Sequence, residues 1–179
     1  MAQAENLATV QQADFDIRAV SDLVTKIQQR PDVAQTTWRA DVRWTGALRS
    51  EVRIRNFSPL PSDEPLALGG SNTAPNPVEQ LLGALGNCLA VGYAANARLQ
   101  GITLESLRIR LEGDIDLHAF LGLVTGGNAG YEAIRVSVEL KSDAPREQLQ
   151  ALHQKVVGSS PVGHSLTRAV PLRINLRED

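Results

Sequence analysis

Between residues 76 and 101 runs NPVEQLLGALGNCLAVGYAANARLQG, a segment that leaves the chain little freedom in how it folds. Asn76 is a good helix cap. Pro77 suits the first helical position, where its missing N–H would be unpaired anyway. Glu79, three residues after the cap, can return a hydrogen bond to the backbone of Asn76. These signs predict a helix from Pro77 to Leu99, stopped at Gly101. It is apolar nearly all round, through Leu81, Leu82, Leu85, Cys88, Leu89, Val91 and Tyr93, so it must be covered on most sides. Gly83, Gly86 and Gly92 each cost about 1 kcal/mol of helix stability against alanine, which implies that another backbone comes close.

The chain around this helix changes period several times. From Asp14 to Gln29 apolar residues recur at helical spacing, and Pro31 ends the run. The polar, small residues 1–13 before it are expected to fray. Trp38, Ala40, Val42 and Trp44 then alternate with polar residues, which predicts a half-buried strand. Thr45-Gly46-Ala47 reads as a turn, and the alternation of Leu48, Val52 and Ile54 with arginines reads as the return strand of a hairpin. Residues 58–77 are loop-like, with a short third strand near Asp63–Leu66. After the long helix, LESLRIRLEGDIDL and YEAIRVSVEL predict two strands joined by a flexible loop. Ala144-Pro145 opens a helix carrying Leu149, Leu152, Val156 and Val157 on one face. Ser159-Ser160-Pro161 breaks it, and VPLRINL predicts a last strand. Strands and helices in runs, without strict alternation, argue for an α+β fold.

Composition excludes several classes. The 179 residues include 42% hydrophobic and 21% charged types, normal for a globular domain. A net charge of −2 gives no footprint for nucleic acid. No apolar run reaches the ~20 residues that span a bilayer, and the N-terminal residues lack the pattern of a secretory signal. One cysteine rules out an internal disulfide, and a reducing cytoplasm is the expected location. The three histidines and the cysteine have no metal-ligand spacing, so neither metal nor cofactor is expected.

Three stretches resemble the OsmC/Ohr family: LGGSNTAPNPVEQLLGALGNCLAVGYAANARLQGI, the strand LRIRLEGDIDL, and SSPVGHSLTRAVPL. The resemblance covers roughly residues 38–176 and divides the chain into an N-terminal extension with one helix, residues 1–36, and an OsmC-like domain, residues 37–179. It implies antiparallel strands around a long central helix in an intertwined homodimer. It also implies reduction of organic hydroperoxides by a peroxidatic cysteine, helped by an arginine and a glutamate. Cys88 occupies the cysteine position and Glu79 the glutamate position. The arginine falls in the hairpin, with Arg49 first and Arg53 second. The family's second cysteine should precede Pro161; this chain has Ser160 there, so a sulfenate on Cys88 would need an external thiol.

Each of these residues also has a plainer reading. Cys88 is of a type often simply buried. Glu79 can be only a cap, Arg49 only surface charge, and Ser160 only the cap of a turn at Pro161. His118 and His164 read as exposed surface residues. Asp63 and Glu64 shape a turn before Pro65. Two functions remain open. The first is thiol-dependent reduction of organic or hydrogen peroxides through Cys88. The second is a non-catalytic, stress-associated dimer that binds a small apolar ligand. Nine residues of straight helix turn through ~900° and rise ~13 Å, which sets Glu79 and Cys88 on opposite faces unless the run Gly83-Ala84-Leu85-Gly86 breaks the helix. A site shared between two chains is therefore expected, with Arg49 or Glu79 of one reaching Cys88 of the other.

Overall fold

Asp16 accepts a hydrogen bond from the Arg18 backbone N–H and caps the first helix, α1 (Ile17–Gln29). In the computed structural model residues 16–178 are described, so the fraying expected at 1–13 and the helical start at Asp14 lie outside the described residues. Pro31–Ala34 follow α1 as one 3-10 turn. The described residues cluster into two compact units, 16–81 and 82–178.

In the first unit, β1 (Asp41–Gly46), β2 (Arg49–Arg53) and β3 (Leu60–Ser62) form an antiparallel sheet in the order β1-β2-β3. The tight turn is Ala47-Leu48, with Gly46 at φ +112° and Ala47 at φ +50°. The alternation in β1 predicted a half-buried strand, and this is corrected. Val42 and Trp44 are both exposed, Trp44 by 72%, because no apolar layer covers them among the described residues. The third strand lies earlier than the expected Asp63–Leu66. Asp63 draws the backbone N–H groups of Glu64, Ser71 and Thr73 onto its carboxylate, which turns the chain where a ladder would have continued.

The long helix α2 (Pro77–Leu99) runs as predicted. Its end is a left-handed glycine cap: Gly101 sits at φ +70°, its N–H reaches the Arg98 carbonyl, and the Ile102 N–H reaches the Ala97 carbonyl. Then come β4 (Ser106–Ile115), a one-turn α3 (Leu117–Phe120), β5 (Tyr131–Lys141), α4 (Arg146–Ser159) and α5 (Pro161–Thr167). β4 and β5 pair antiparallel, with Leu107, Ile109 and Leu111 opposite Leu140, Val138 and Val136. All of this row but the exposed Val136 packs with Leu85, Leu89, Tyr93 and Ala97 of α2, with Ile102 beyond its end, and with Leu152 and Val156 of α4. Each fully buried large apolar side chain stabilises by roughly 1.5–3 kcal/mol. Val157, expected on the buried face of α4, is exposed.

The α2 glycines do bring neighbours close, but the neighbours are side chains. A Cβ at Gly86 would meet Leu111 Cδ1 at 2.9 Å, and one at Gly92 would meet Val156 Cγ1 at 3.0 Å. At Gly83 it would meet nothing within 4 Å. The last predicted strand is also corrected. Residues 168–178 carry no regular structure, and Leu172, Ile174 and Leu176 are more than four-fifths exposed, because no strand among the described residues pairs with them.

Candidate functional site

Cys88 lies half-buried on α2, between Leu85 and Leu89 of the buried row. α4 and α5 bring a second group to it. Ser160 closes one helix and caps the next, so its side chain is fixed by backbone geometry; its Oγ accepts the Gly163 N–H at 3.1 Å and is buried. The same Oγ lies 3.3 Å from the Cys88 Sγ. A serine hydroxyl has one proton to give. The Gly163 N–H already donates to this oxygen, so the hydroxyl proton is free to point at sulfur, and a thiolate could only accept it.

A cavity of 440 Å³ opens here, lined by Cys88, Val91, Gly92, Asn96, Val156 and Ser160 among others. Its lining is mostly apolar carbon with amide groups at the edge. Gly92 lets Val156 approach, and Asn96 donates back to the Gly92 carbonyl at 2.9 Å. Sequence reasoning missed this lining, although helical spacing carried the signal, since Val91, Gly92 and Asn96 stand three, four and eight positions after Cys88.

Glu79 is placed by its cap. Asn76 N–H donates to Glu79 Oε2 at 2.8 Å, and Glu79 N–H donates to Asn76 Oδ1 at 2.9 Å. The helix does not break at Gly83-Ala84-Leu85-Gly86, so Glu79 stays on the far face and ~13 Å along the axis from Cys88. The segment before this cap is held by polar contacts. Asp63, 1% exposed, takes N–H groups from Glu64, Ser71 and Thr73 and the Thr73 hydroxyl at 2.7 Å. Those donors, led by Thr73 N–H, hold its carboxyl at about 2. Gly70 is required beside it, because a Cβ would fall 1.8 Å from the Glu64 carbonyl oxygen.

Arg49 and Arg53 differ in what their charges meet. Glu51 binds both Arg43, at 2.9 Å, and Arg53, at 3.2 Å. Those two cations lower its carboxyl. Arg49, at the start of β2, is exposed and makes no ion pair among the described residues. It belongs to the first compact unit and Cys88 to the second. His118 is exposed and bonded to Asp116 at 2.7 Å, whereas His164 is half-buried in α5. Among the described residues no cluster of three His, Cys, Asp or Glu could hold a metal, and no helix is long and apolar enough to cross a membrane.

The family model for OsmC-like proteins matches residues 70–175, which span α2, its capping loop, β4, β5, Ser160 and the start of the exposed tail. No curated protein matches the sequence. Among solved structures, an OsmC-like protein from Mycoplasma pneumoniae is 16% identical, with a TM-score of 0.65 over 74% of this chain and 89% of its own. A Legionella pneumophila organic hydroperoxide resistance protein OsmC is 17% identical, with a TM-score of 0.54 over 74% and 91%. A candidate organic hydroperoxide resistance protein from Vibrio cholerae, with captopril in one of its active sites, is 18% identical, with a TM-score of 0.55 over 74% and 86%. At these identities the likeness speaks to the fold.

Proposed function

The chain belongs to the OsmC-like protein family, and from that premise we propose that it reduces organic hydroperoxides or hydrogen peroxide through Cys88 alone, with an external thiol as reductant. The Cys88 Sγ and Ser160 Oγ, 3.3 Å apart at one cavity, carry this reading. The thiolate attacks one peroxide oxygen and the O–O bond breaks. The leaving alkoxide takes a proton to become alcohol, or water from hydrogen peroxide, and Cys88 becomes a sulfenic acid. An external thiol condenses with it, releasing water and leaving a mixed disulfide. A second thiol frees Cys88 and carries the disulfide away. Ser160 donates its hydroxyl proton to the anionic sulfur, and the Gly163 N–H behind it polarises that hydroxyl further. It forms no disulfide, so the external thiol is obligatory. A reducing cytoplasm would supply one.

The active form in this proposal is a homodimer. α2 buries the row Leu85, Leu89, Tyr93 and Ala97 and leaves Ala84, Asn87, Val91 and Ala94 open, with Val91 68% exposed. These small side chains suit close packing of a second α2, and the exposed hairpin and tail add apolar surface for the same partner. Arg49 supplies a cation to the thiolate of the second copy, since its charge is uncommitted while that of Arg53 is shared with Glu51. Glu79 of the chain that supplies Arg49 is the other candidate to reach that sulfur.

Ser160 also favours a second reading. A family position expected to hold cysteine holds serine, and the apolar cavity beside it could serve a non-catalytic dimer that binds a small apolar ligand. The captopril in the Vibrio protein supports a small-molecule partner under either reading. The readings separate on turnover. Purified protein with excess dithiol should consume cumene hydroperoxide, the Cys88→Ser variant should not, and one equivalent of peroxide should add one oxygen atom by intact mass. Co-expressed Cys88→Ser and Arg49→Ala protomers should recover about half the activity, because one of the two shared sites is then complete. No consumption by the parent leaves the ligand-binding reading standing.

A further inference from the structure

A second cavity, of 580 Å³, lies between β5, α4 and Tyr93. Tyr93 is five residues after Cys88 on α2, ~140° around the helix, so this cavity is on a different side from the thiol. Its walls are Val136, Val138 and Leu140 of β5 and Leu149 of α4. Its floor is Tyr93, 1% exposed, whose hydroxyl is bonded to His153 Nδ1. Burial pushes the Tyr93 phenol up, so it stays protonated, and its hydroxyl has one partner among the described residues, His153 Nδ1. With that hydroxyl donating to Nδ1, Nε2 is the ring nitrogen that carries hydrogen, a donor.

The rim therefore presents donors and positive charge. Arg146, in the first turn of α4, lines the cavity and makes no hydrogen bond or ion pair among the described residues. Nearby arginines do otherwise: Arg110 is held by Glu139, and Arg135 by Asp114 and Glu112. No carboxylate lines the cavity. Apolar walls, a free guanidinium fork and a size typical of small-molecule sites define one kind of guest.

We propose that this groove binds a small amphiphilic carboxylate, its apolar tail along β5 and Leu149 and its anionic head on Arg146, independently of Cys88. Octanoate is the probe, with octanol, octylamine and butyrate as matched controls, followed by amide chemical shifts and calorimetry on the full-length protein. Octanoate is expected to bind saturably and to shift β5 and α4 resonances. Octanol and butyrate should bind more weakly, and octylamine should not bind. Arg146→Gln, an exposed substitution that leaves the core intact, should weaken octanoate roughly tenfold or more, as expected for a lost charge-assisted contact. Cys88→Ser should bind octanoate like the parent while losing any peroxide turnover, so this proposal and the peroxidase reading fail separately. Absence of saturable octanoate binding, equal binding of octanol, an unaffected Arg146→Gln, or loss of binding in Cys88→Ser would each overturn it.

Discussion

Residues 82–178 bury Leu85, Leu89, Tyr93, Ala97, Ile102, Leu152 and Val156 against one another, while residues 16–81 bury Asp63 and Asn76 and, among those described, no apolar side chain. The second region is held by exclusion of water from a helix-on-sheet core. The first is held by backbone ladders and polar clasps: the Asp63 cage, the Asn76–Glu79 capping box, and Gln80 Nε2 donating to the carbonyls of Pro61 and Pro75 at 3.0 Å each. Hydrogen bonds fix a conformation well, but each adds only about 1 kcal/mol net. A region with Val42, Trp44, Phe57 and Leu60 exposed therefore has geometry without the burial that ordinarily stabilises a sheet. That difference argues for a second copy as the missing layer.

The contrast breaks if the core matters no more than the open face. Leu152→Ala, at a site with no exposure, is expected to cost about 2–5 kcal/mol by urea unfolding. That loss should be the same at every protein concentration. Val91→Glu, on the open face of α2, should leave the core intact and weaken self-association by roughly a hundredfold, since a charge would be buried against a partner helix. Sedimentation equilibrium reads this directly. If the parent sediments as a monomer at micromolar concentration, the second copy is not the missing layer.

Smaller changes sharpen the contrast within each region. Ser160→Ala should slow iodoacetamide alkylation of Cys88 at neutral pH by about tenfold, the worth of one hydrogen bond to an anion, and Ser160→Thr should restore much of the rate. Equal rates in all three proteins would mean that the hydroxyl does not donate to sulfur. The mildest test concerns the first region in acid. The carboxyl of Asp63 is held at about 2, below its ordinary 3.8, so its contribution is full above the ordinary value and drains away as pH falls toward the held one. The stability advantage of the parent over Asp63→Asn should therefore be present at neutral pH and shrink between about pH 4 and 2. A constant gap across that window would assign the cage to steric fit alone.

Legibility in the sequence followed the same divide. α2 was readable to the residue at both ends, because Asn76, Pro77, Glu79 and Gly101 are local signals whose partners lie within a turn. The strands β4 and β5 were readable too, since period-two alternation has the expected outcome when one face is truly covered. The same alternation misled in β1 and in the tail. It reports that a face is suited to burial, and the covering layer is a property of the assembled molecule. At the site, Ser160 beside Cys88 was expected from the family resemblance, since the residues stand 72 positions apart and no local rule joins them. The proposed preference for Arg49 over Arg53 rests on Glu51, whose pair with Arg53 is local to β2 while its pair with Arg43 depends on strand register. The Tyr93–His153 pair had no sequence signal, because it joins two helices through residues 60 positions apart.

Trp38 and Trp44, the two tryptophans of the chain, both stand in the first region and are largely exposed. Their indole N–H groups are held locally, by the Thr36 hydroxyl at 3.1 Å and the Ala47 carbonyl at 2.8 Å. Intrinsic emission excited at the red edge of the indole band therefore watches the hairpin and is blind to the core around Leu152. From their exposure, that emission in the lone chain should be red-shifted and readily quenched by iodide. Docking of any surface onto the hairpin shifts it to the blue and shields it, with no dye attached and no label near Cys88. The molecule thus carries its own optical gauge of whether its coreless half is covered, reading on a channel separate from far-ultraviolet dichroism, which the helices dominate.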